Sequence, residues 1–301
     1  MLRLTLLVLI MAMLPGVNPA PAATQAPVVG YRLVNTGHSV APRHFITIGQ
    51  VFIPGQLLPG EGLMAVHRGQ SAGDTLPVQI DIKATHQDHS VRHAVLTFEC
   101  PKLTAGESVD LTLLKREASS TEQPPAVTVN MILDRGYQAS AVIRLGDGAP
   151  VIIDAARLLR AAAAEHPASV WLSGSAVTEV RVGFPLDRSL HIDFDIRGYA
   201  DGRVRTDFIV ANDATFSPDG GLHRYTVELR ESDRSLFSAT VAHQRNTTWH
   251  KELWNPAGDP AAFRDIRVIR DMTPVIRTGA LPAYDTNRKK SSCNSPIPRS
   301  N

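Results

Sequence analysis

Apolar and polar residues alternate along much of this chain, most clearly over residues 76–99, LPVQIDIKATHQDHSVRHAVLTFE. Val78, Ile80 and Ile82 alternate with Gln79, Asp81 and Lys83. Val91, Ala94, Leu96 and Phe98 then resume the pattern after Gln87-Asp88-His89-Ser90. Two half-buried strands joined by a short polar turn are a β-hairpin. FITIGQVF, GLMAVHR and SVDLTLLK add strand-like runs between 45 and about 115, separated by Pro54-Gly55, Pro59-Gly60 and Thr104-Ala105-Gly106-Glu107. Short strands at this spacing predict a small barrel or sandwich.

A charged, Ser/Thr-rich segment closed by Pro124-Pro125 follows, and residues 118–126 read as a linker. A second strand-rich block runs to about 254. Ala126 to Leu133 and Tyr137 to Leu145 are its first hairpin candidate, turning on Asp134-Arg135-Gly136. Asp154 to Glu165 is the one helix predicted, with Asp154 as N-cap, four consecutive alanines and Pro167 as the stop.

The hairpin LHIDFDIRGY/RVRTDFIV can be registered from burial alone. A two-residue Asp201-Gly202 loop sets its apolar faces against each other. A three-residue loop, Ala200-Asp201-Gly202 with Gly202 left-handed, pairs Ile192 with Val210, Phe194 with Phe208 and Ile196 with Thr206. The expected architecture is therefore mainly β: a signal segment at 1–22, a small β-barrel at 23–117, a linker at 118–126, a β-sandwich with one short crossover helix at 127–284, and a disordered tail at 285–301.

Arg3, the apolar run Leu4 to Leu14 and the small-x-small pattern Ala20-Pro21-Ala22 read as a secretory signal peptide, which places the mature chain in the periplasm or outside the cell. The apolar run is shorter than the ~20 residues of a membrane span, and no later segment approaches that length. Lys plus Arg number 31 against 29 Asp plus Glu, spread along the chain, so nucleic acid has no electrostatic footprint. Cys100 and Cys293 are too few for a disulfide framework, and whether they pair is open.

Gln79, Thr85, Asp88, Ser90, Val91 and Arg92 carry a resemblance. The segment resembles the N-terminal RIFT-type barrel of the exo-rhamnogalacturonan lyase-like family, where a Gln-containing strand runs into a Thr-x-x-Asp-Gly-Ser-[Val/Ile]-Arg turn. His89 stands in place of the turn glycine, and His is among the non-glycine residues that tolerate positive φ. Barrel, linker and β-block ending near TWHKELW resemble the family's first two modules. The resemblance implies that lyase chemistry resides in a helical toroid, so no family catalytic residue is carried onto this chain.

Three constellations are candidate sites. His86, His89 and His93 flank the first hairpin turn and invite a metal, although no paired Cys or H-E-x-x-H supports them. Asp193, Asp195 and Asp207 share a face with Arg197 and Arg205. Paired carboxylates run acid–base chemistry when their pKa values are pushed apart, which two nearby arginines oppose, so a solvated charge checkerboard is preferred. Trp249, His250 and Trp254 are the carbohydrate-binding candidates. The tryptophans are five apart, so on one strand they face opposite sides and at least one belongs to the core.

Gly174-Ser175 follows a strand but lacks G-x-S-x-G, and no phosphate-binding loop or cofactor motif is present. The expectation is a secreted, non-catalytic β-module protein resembling the N-terminal part of a polysaccharide lyase, either associated with polysaccharide or the remnant of a longer lyase-like enzyme, and needing no cofactor. The alternatives are a lyase or hydrolase with an interdomain site, and a structural envelope or appendage protein.

Overall fold

The structure, a computed structural model, describes residues 27–67, 75–116, 125–165, 170–214, 221–255, 265–270 and 272–279. The signal segment, the linker and the tail fall outside these, apart from residues 125 and 126. The fold is mainly β, as the alternation predicts.

A seven-stranded antiparallel sheet is built from β1 (Pro27–Asn35), β2 (His44–Val51), β3 (Gly62–His67), β4 (Thr75–Thr85), β5 (Val91–Cys100), β6 (Ser108–Arg116) and β16 (Ile266–Arg270), in the order β16-β1-β6-β3-β4-β5-β2. It curls until its ends meet: Arg270 of β16 donates to the Gly49 carbonyl of β2 at 2.8 Å. The Tyr31 hydroxyl of β1 donates to Gln50 of β2 at 2.6 Å. Curling encloses a core of Leu33, Phe52, Leu57, Leu96, Phe98 and Leu111. Free Cys100 is buried there, and burial, with the Glu99 charge adding, pushes its thiol up to about 12.

The first hairpin forms where its pattern places it. His89 takes the left-handed conformation, φ 64°, that a turn glycine would supply. Its N–H donates to the His86 carbonyl at 3.0 Å, and Asp88 accepts from the Ser90 N–H and hydroxyl at 3.0 and 2.6 Å. Those bonds hold the Asp88 carboxyl below its ordinary range.

The second block is a sandwich. One sheet has five strands, β9 (Val170–Ser173), β10 (Val177–Pro185), β11 (Leu190–Tyr199), β12 (Val204–Asn212) and β15 (Thr247–Asn255), in the order β15-β12-β11-β10-β9. The other is β14-β13-β7-β8, with β7 Ser140–Leu145, β8 Val151–Asp154, β13 His223–Glu231 and β14 Arg234–His243. Between them lie Ile143, Ile153, Phe194, Phe208, Val227 and Leu229. β11 and β12 adopt the expected register, Ile192 opposite Val210, Phe194 opposite Phe208 and Ile196 opposite Thr206, with Gly202 at φ 92°. α2 (Ala155–Glu165) is capped by Asp154, which accepts from the Arg157 N–H at 3.0 Å, and buries Ala155, Ala156 and Leu159.

Two expectations are corrected. Residues 126–133, read as a strand, instead hold most of a short helix, α1 (Val129–Asp134), which also takes in Asp134 of the expected turn. Thr128 caps it by accepting from the Met131 N–H at 3.2 Å, and Gly136, at φ 81°, ends it. The short helix sinks Ile132 against Gly198, where a Cβ would lie 2.4 Å from Ile132 Cγ1. Residues 266–270, assigned to the sandwich span, instead pair with β1 in the curled sheet. Local alternation reveals a strand but not its partner. A further helix, α3 (Thr273–Arg277), follows them.

One face of β4 joins the curled sheet to the five-stranded sheet. Gln79 accepts from the Ala176 and Val177 N–H groups at 2.9 and 3.0 Å and donates to the Val177 carbonyl and to Asp81. Asp81 accepts from the Ser173 N–H at 2.8 Å, and Lys83 donates to the Trp171 carbonyl. Beside this seam Phe45, Tyr199 and Trp254 stack in succession, with centroids 6.3 and 6.1 Å apart and planes within 6° and 14°.

Candidate functional site

The outer face of the five-stranded sheet gathers more charged side chains in register than any local segment announces. Pairing places Glu179, Arg197, Arg205 and Trp254 in one row across β10, β11, β12 and β15. Arg181, Asp195, Asp207 and Glu252 form the next, and Gly183, Asp193, Ile209 and His250 the third. The period of two that buries Phe194 and Phe208 on one side projects the charged residues on the other.

Asp195 and Asp207 stand directly opposite each other, as do Arg197 and Arg205, a like-charge arrangement that by itself destabilises a sheet. Neighbouring strands and, for Asp207, the same strand supply the compensation. Arg181 clamps Asp195 through two bonds of 2.6 and 2.7 Å. Arg205 contacts Asp207 at 2.9 Å and Glu252 at 3.1 Å. Arg197 donates to buried Glu179 at 2.5 Å. The bonds it donates to Asp195 raise the Arg181 guanidinium above its ordinary value despite partial desolvation. The Asp193, Asp195 and Asp207 side chains retain 20, 17 and 16% exposure, so the acceptors are reachable from solvent. The charged face extends to four strands, and its carboxylates are largely covered instead of freely solvated.

The carbohydrate candidates divide between the two faces. Trp249 packs into the sandwich core instead of onto the surface. Its ring lies 5.5 Å from that of Phe208 and 6.4 Å from that of Phe237, and its indole N–H donates to the Tyr225 hydroxyl at 2.7 Å. Trp254 and His250 are on the outer face. The Trp254 ring is half-buried against Tyr199, with the Arg203 guanidinium 5.5 Å from its centroid and its N–H donating to Glu252 at 2.8 Å. Trp171 is the tryptophan that stands out from the surface, half-exposed, with Lys83 Nζ 4.0 Å from its ring centroid.

The three histidines of the first hairpin do not converge. His86 Nε2 lies 2.9 Å from the Phe52 carbonyl, His89 is exposed at the turn, and His93 sits on β5 opposite Val51 and Ala84. Among the described residues, no group of three His, Cys, Asp or Glu side chains is placed to hold a metal ion.

Sequence reasoning missed Glu179, Arg181 and Glu252 on the charged face. Each is visible as a polar position in an alternating run, but strand order decides which of them flank Asp195 and Asp207. No family model matches the chain, and no curated protein matches it.

Proposed function

We propose that this chain is an exported β-module protein that binds a neutral polysaccharide on the outer face of its five-stranded sheet without cleaving its backbone. The observation that carries the reading is the three-row array of carboxylates and guanidiniums bordered by Trp254. Sugars are bound by convergent donors and acceptors that match vicinal hydroxyls, together with an aromatic ring edge. Acceptors held in place by paired arginines are pre-organised for hydroxyl donors, which lowers the ordering cost of binding.

Charge selects the ligand class. Glu179, Asp193, Asp195, Asp207 and Glu252 outnumber Arg181, Arg197 and Arg205 on this face, so a neutral glycan fits better than a polyuronate. The signal-like N-terminus and the resemblance to polysaccharide-lyase β modules support export and a glycan partner.

The test is binding of the full chain to immobilised neutral and uronate-containing plant and microbial polysaccharides. Retention on a neutral polymer, weakened by Trp254→Ala and Asp207→Asn, is expected. Binding that survives both substitutions, or selectivity for polyuronates, would reject this face as the site.

A further inference from the structure

Ser189, His223 and Asp187 meet where the turn between β10 and β11 touches the first residue of β13. The Ser189 hydroxyl lies 2.7 Å from His223 Nε2, and His223 Nδ1 faces Asp187 Oδ2 at 3.7 Å. We propose that Ser189 is the nucleophile of an acyl-transfer site, with His223 as its general base and Asp187 as the positioning residue, acting on esters of small carboxylic acids. Nothing in this assignment depends on the glycan-binding face.

The connectivity exceeds what the turn needs for its own stability. Asp187 Oδ1 already accepts from the Ser189 and Leu190 N–H groups at 2.7 and 2.6 Å, and the Leu186 and Asp187 N–H groups donate to the Leu190 carbonyl. The turn is therefore capped without the Ser189 hydroxyl or His223. The serine stands 3.4 Å from Asp187 Oδ1 yet only 2.7 Å from an imidazole brought from the opposite sheet. The carboxylate's second oxygen is left facing the other ring nitrogen. At 3.7 Å Asp187 Oδ2 is too far for a hydrogen bond, but its charge favours a proton on Nδ1, and in that tautomer Nε2 is the acceptor for the serine proton, as a general base requires.

Exposure sets the substrate class. Ser189 is 3% exposed, while the His223 and Asp187 side chains are 18 and 29% exposed. The proposed substrate therefore carries a slim acyl group such as acetyl at the recessed hydroxyl, with its alcohol part on the side of the more exposed imidazole and carboxylate.

The chemistry closes without another reagent. Ser189 Oγ attacks the ester carbonyl carbon while its proton passes to Nε2. The carbonyl carbon then loses the alkoxide, which leaves as the alcohol with that proton. Water, deprotonated by Nε2, attacks the acyl-serine, and the proton returns to Oγ as the acid departs. Ester and water become acid and alcohol.

The experiment follows 4-nitrophenolate release from 4-nitrophenyl acetate by the full chain, beside the thermal unfolding midpoint of each variant. Ser189→Ala should abolish the protein-dependent release above that of a denatured control while keeping the midpoint. His223→Gln should slow it by roughly 100-fold, the scale of a lost general base. Asp187→Asn keeps the turn acceptor and should slow release by at least about tenfold by removing the charge that faces Nδ1. Release unchanged in Ser189→Ala, or unchanged in a folded His223→Gln protein, would overturn the assignment.

Discussion

Phe194 and Phe208 show how much a single pair contributes to this fold. Their rings are 1 and 0% exposed and 5.4 Å apart, tilted by 59°. Replacing either by alanine should lower unfolding free energy by about 3–5 kcal/mol in a denaturant titration. The double mutant should be non-additive by ~0.5–1.5 kcal/mol, and strictly additive losses would contradict the ring contact. On the other face, Asp195→Asn should cost no more than about 1 kcal/mol, because its partner Arg181 is 56% exposed.

Cys100 makes a pH-dependent case. Its thiol is raised in the fold, so below the unfolded value of about 8.5 it stays protonated in both states and leaves stability untouched. As pH rises from there toward about 12, only the unfolded chain ionises, and stability falls. Mass spectrometry should find Cys100 unmodified by iodoacetamide in folded protein at pH 9 and modified after denaturation. Modification of the folded protein at the denatured rate would show that the thiol is accessible. The Phe194–Phe208 pairing was legible in the sequence because burial has a period of two and Gly202 marks the loop. The clamp of Arg181 on Asp195 was not, because the register across the β10–β11 turn decides which residue of β10 faces Asp195, and alternation alone does not give that register.

At the scale of elements, β4 does two jobs with one alternation. Its apolar side contributes to the curled core, and its polar side, Gln79, Asp81 and Lys83, grips the β9–β10 turn. The sequence showed the alternation but not what the polar face holds, since the turn lies about a hundred residues away. Gln79→Ala leaves two backbone N–H groups without their acceptor and should cost about 1–3 kcal/mol. Gly174 rests against that same amide: a Cβ there would come within 2.5 Å of Gln79 Oε1. Gly174→Ala should therefore destabilise by displacing Gln79, and combining it with Gln79→Ala should give less than the sum. Equal and additive losses in chemical denaturation would show that the two sites act separately. α1 illustrates the opposite limit. Six residues are too few for a helical period to emerge, and a Thr cap with a terminal Gly reads equally well as turn chemistry.

At the scale of the molecule, the chain leaves the curled sheet after β6, builds the sandwich, and returns to the curled sheet with β16. Five residue pairs, from Tyr31 with Arg270 to Asn35 with Ile266, tie that returning strand to β1. Asp265 adds its carbonyl as acceptor for the Thr36 N–H at 2.8 Å. The curled sheet therefore takes an edge strand from beyond the sandwich, and the backbone crossing at 117–124 is not the sole link between the two. A protease site inserted at 117–124 and cut to completion should give two fragments that still co-elute in native size-exclusion chromatography. The clasp of β16 on β1, the Gln79 and Asp81 bonds, and the apolar seam of Val95, Leu172, Val177 and Tyr199 all outlast that cut. Ending the chain after Asn255 removes β16 and leaves the Gln79 and Asp81 bonds and the apolar seam, so the cut fragments should then separate at micromolar concentration. Separation of the cut full-length chain under native conditions would mean that neither the clasp nor the seam holds. Co-elution in both forms would assign the link to the Gln79 and Asp81 bonds together with the apolar seam.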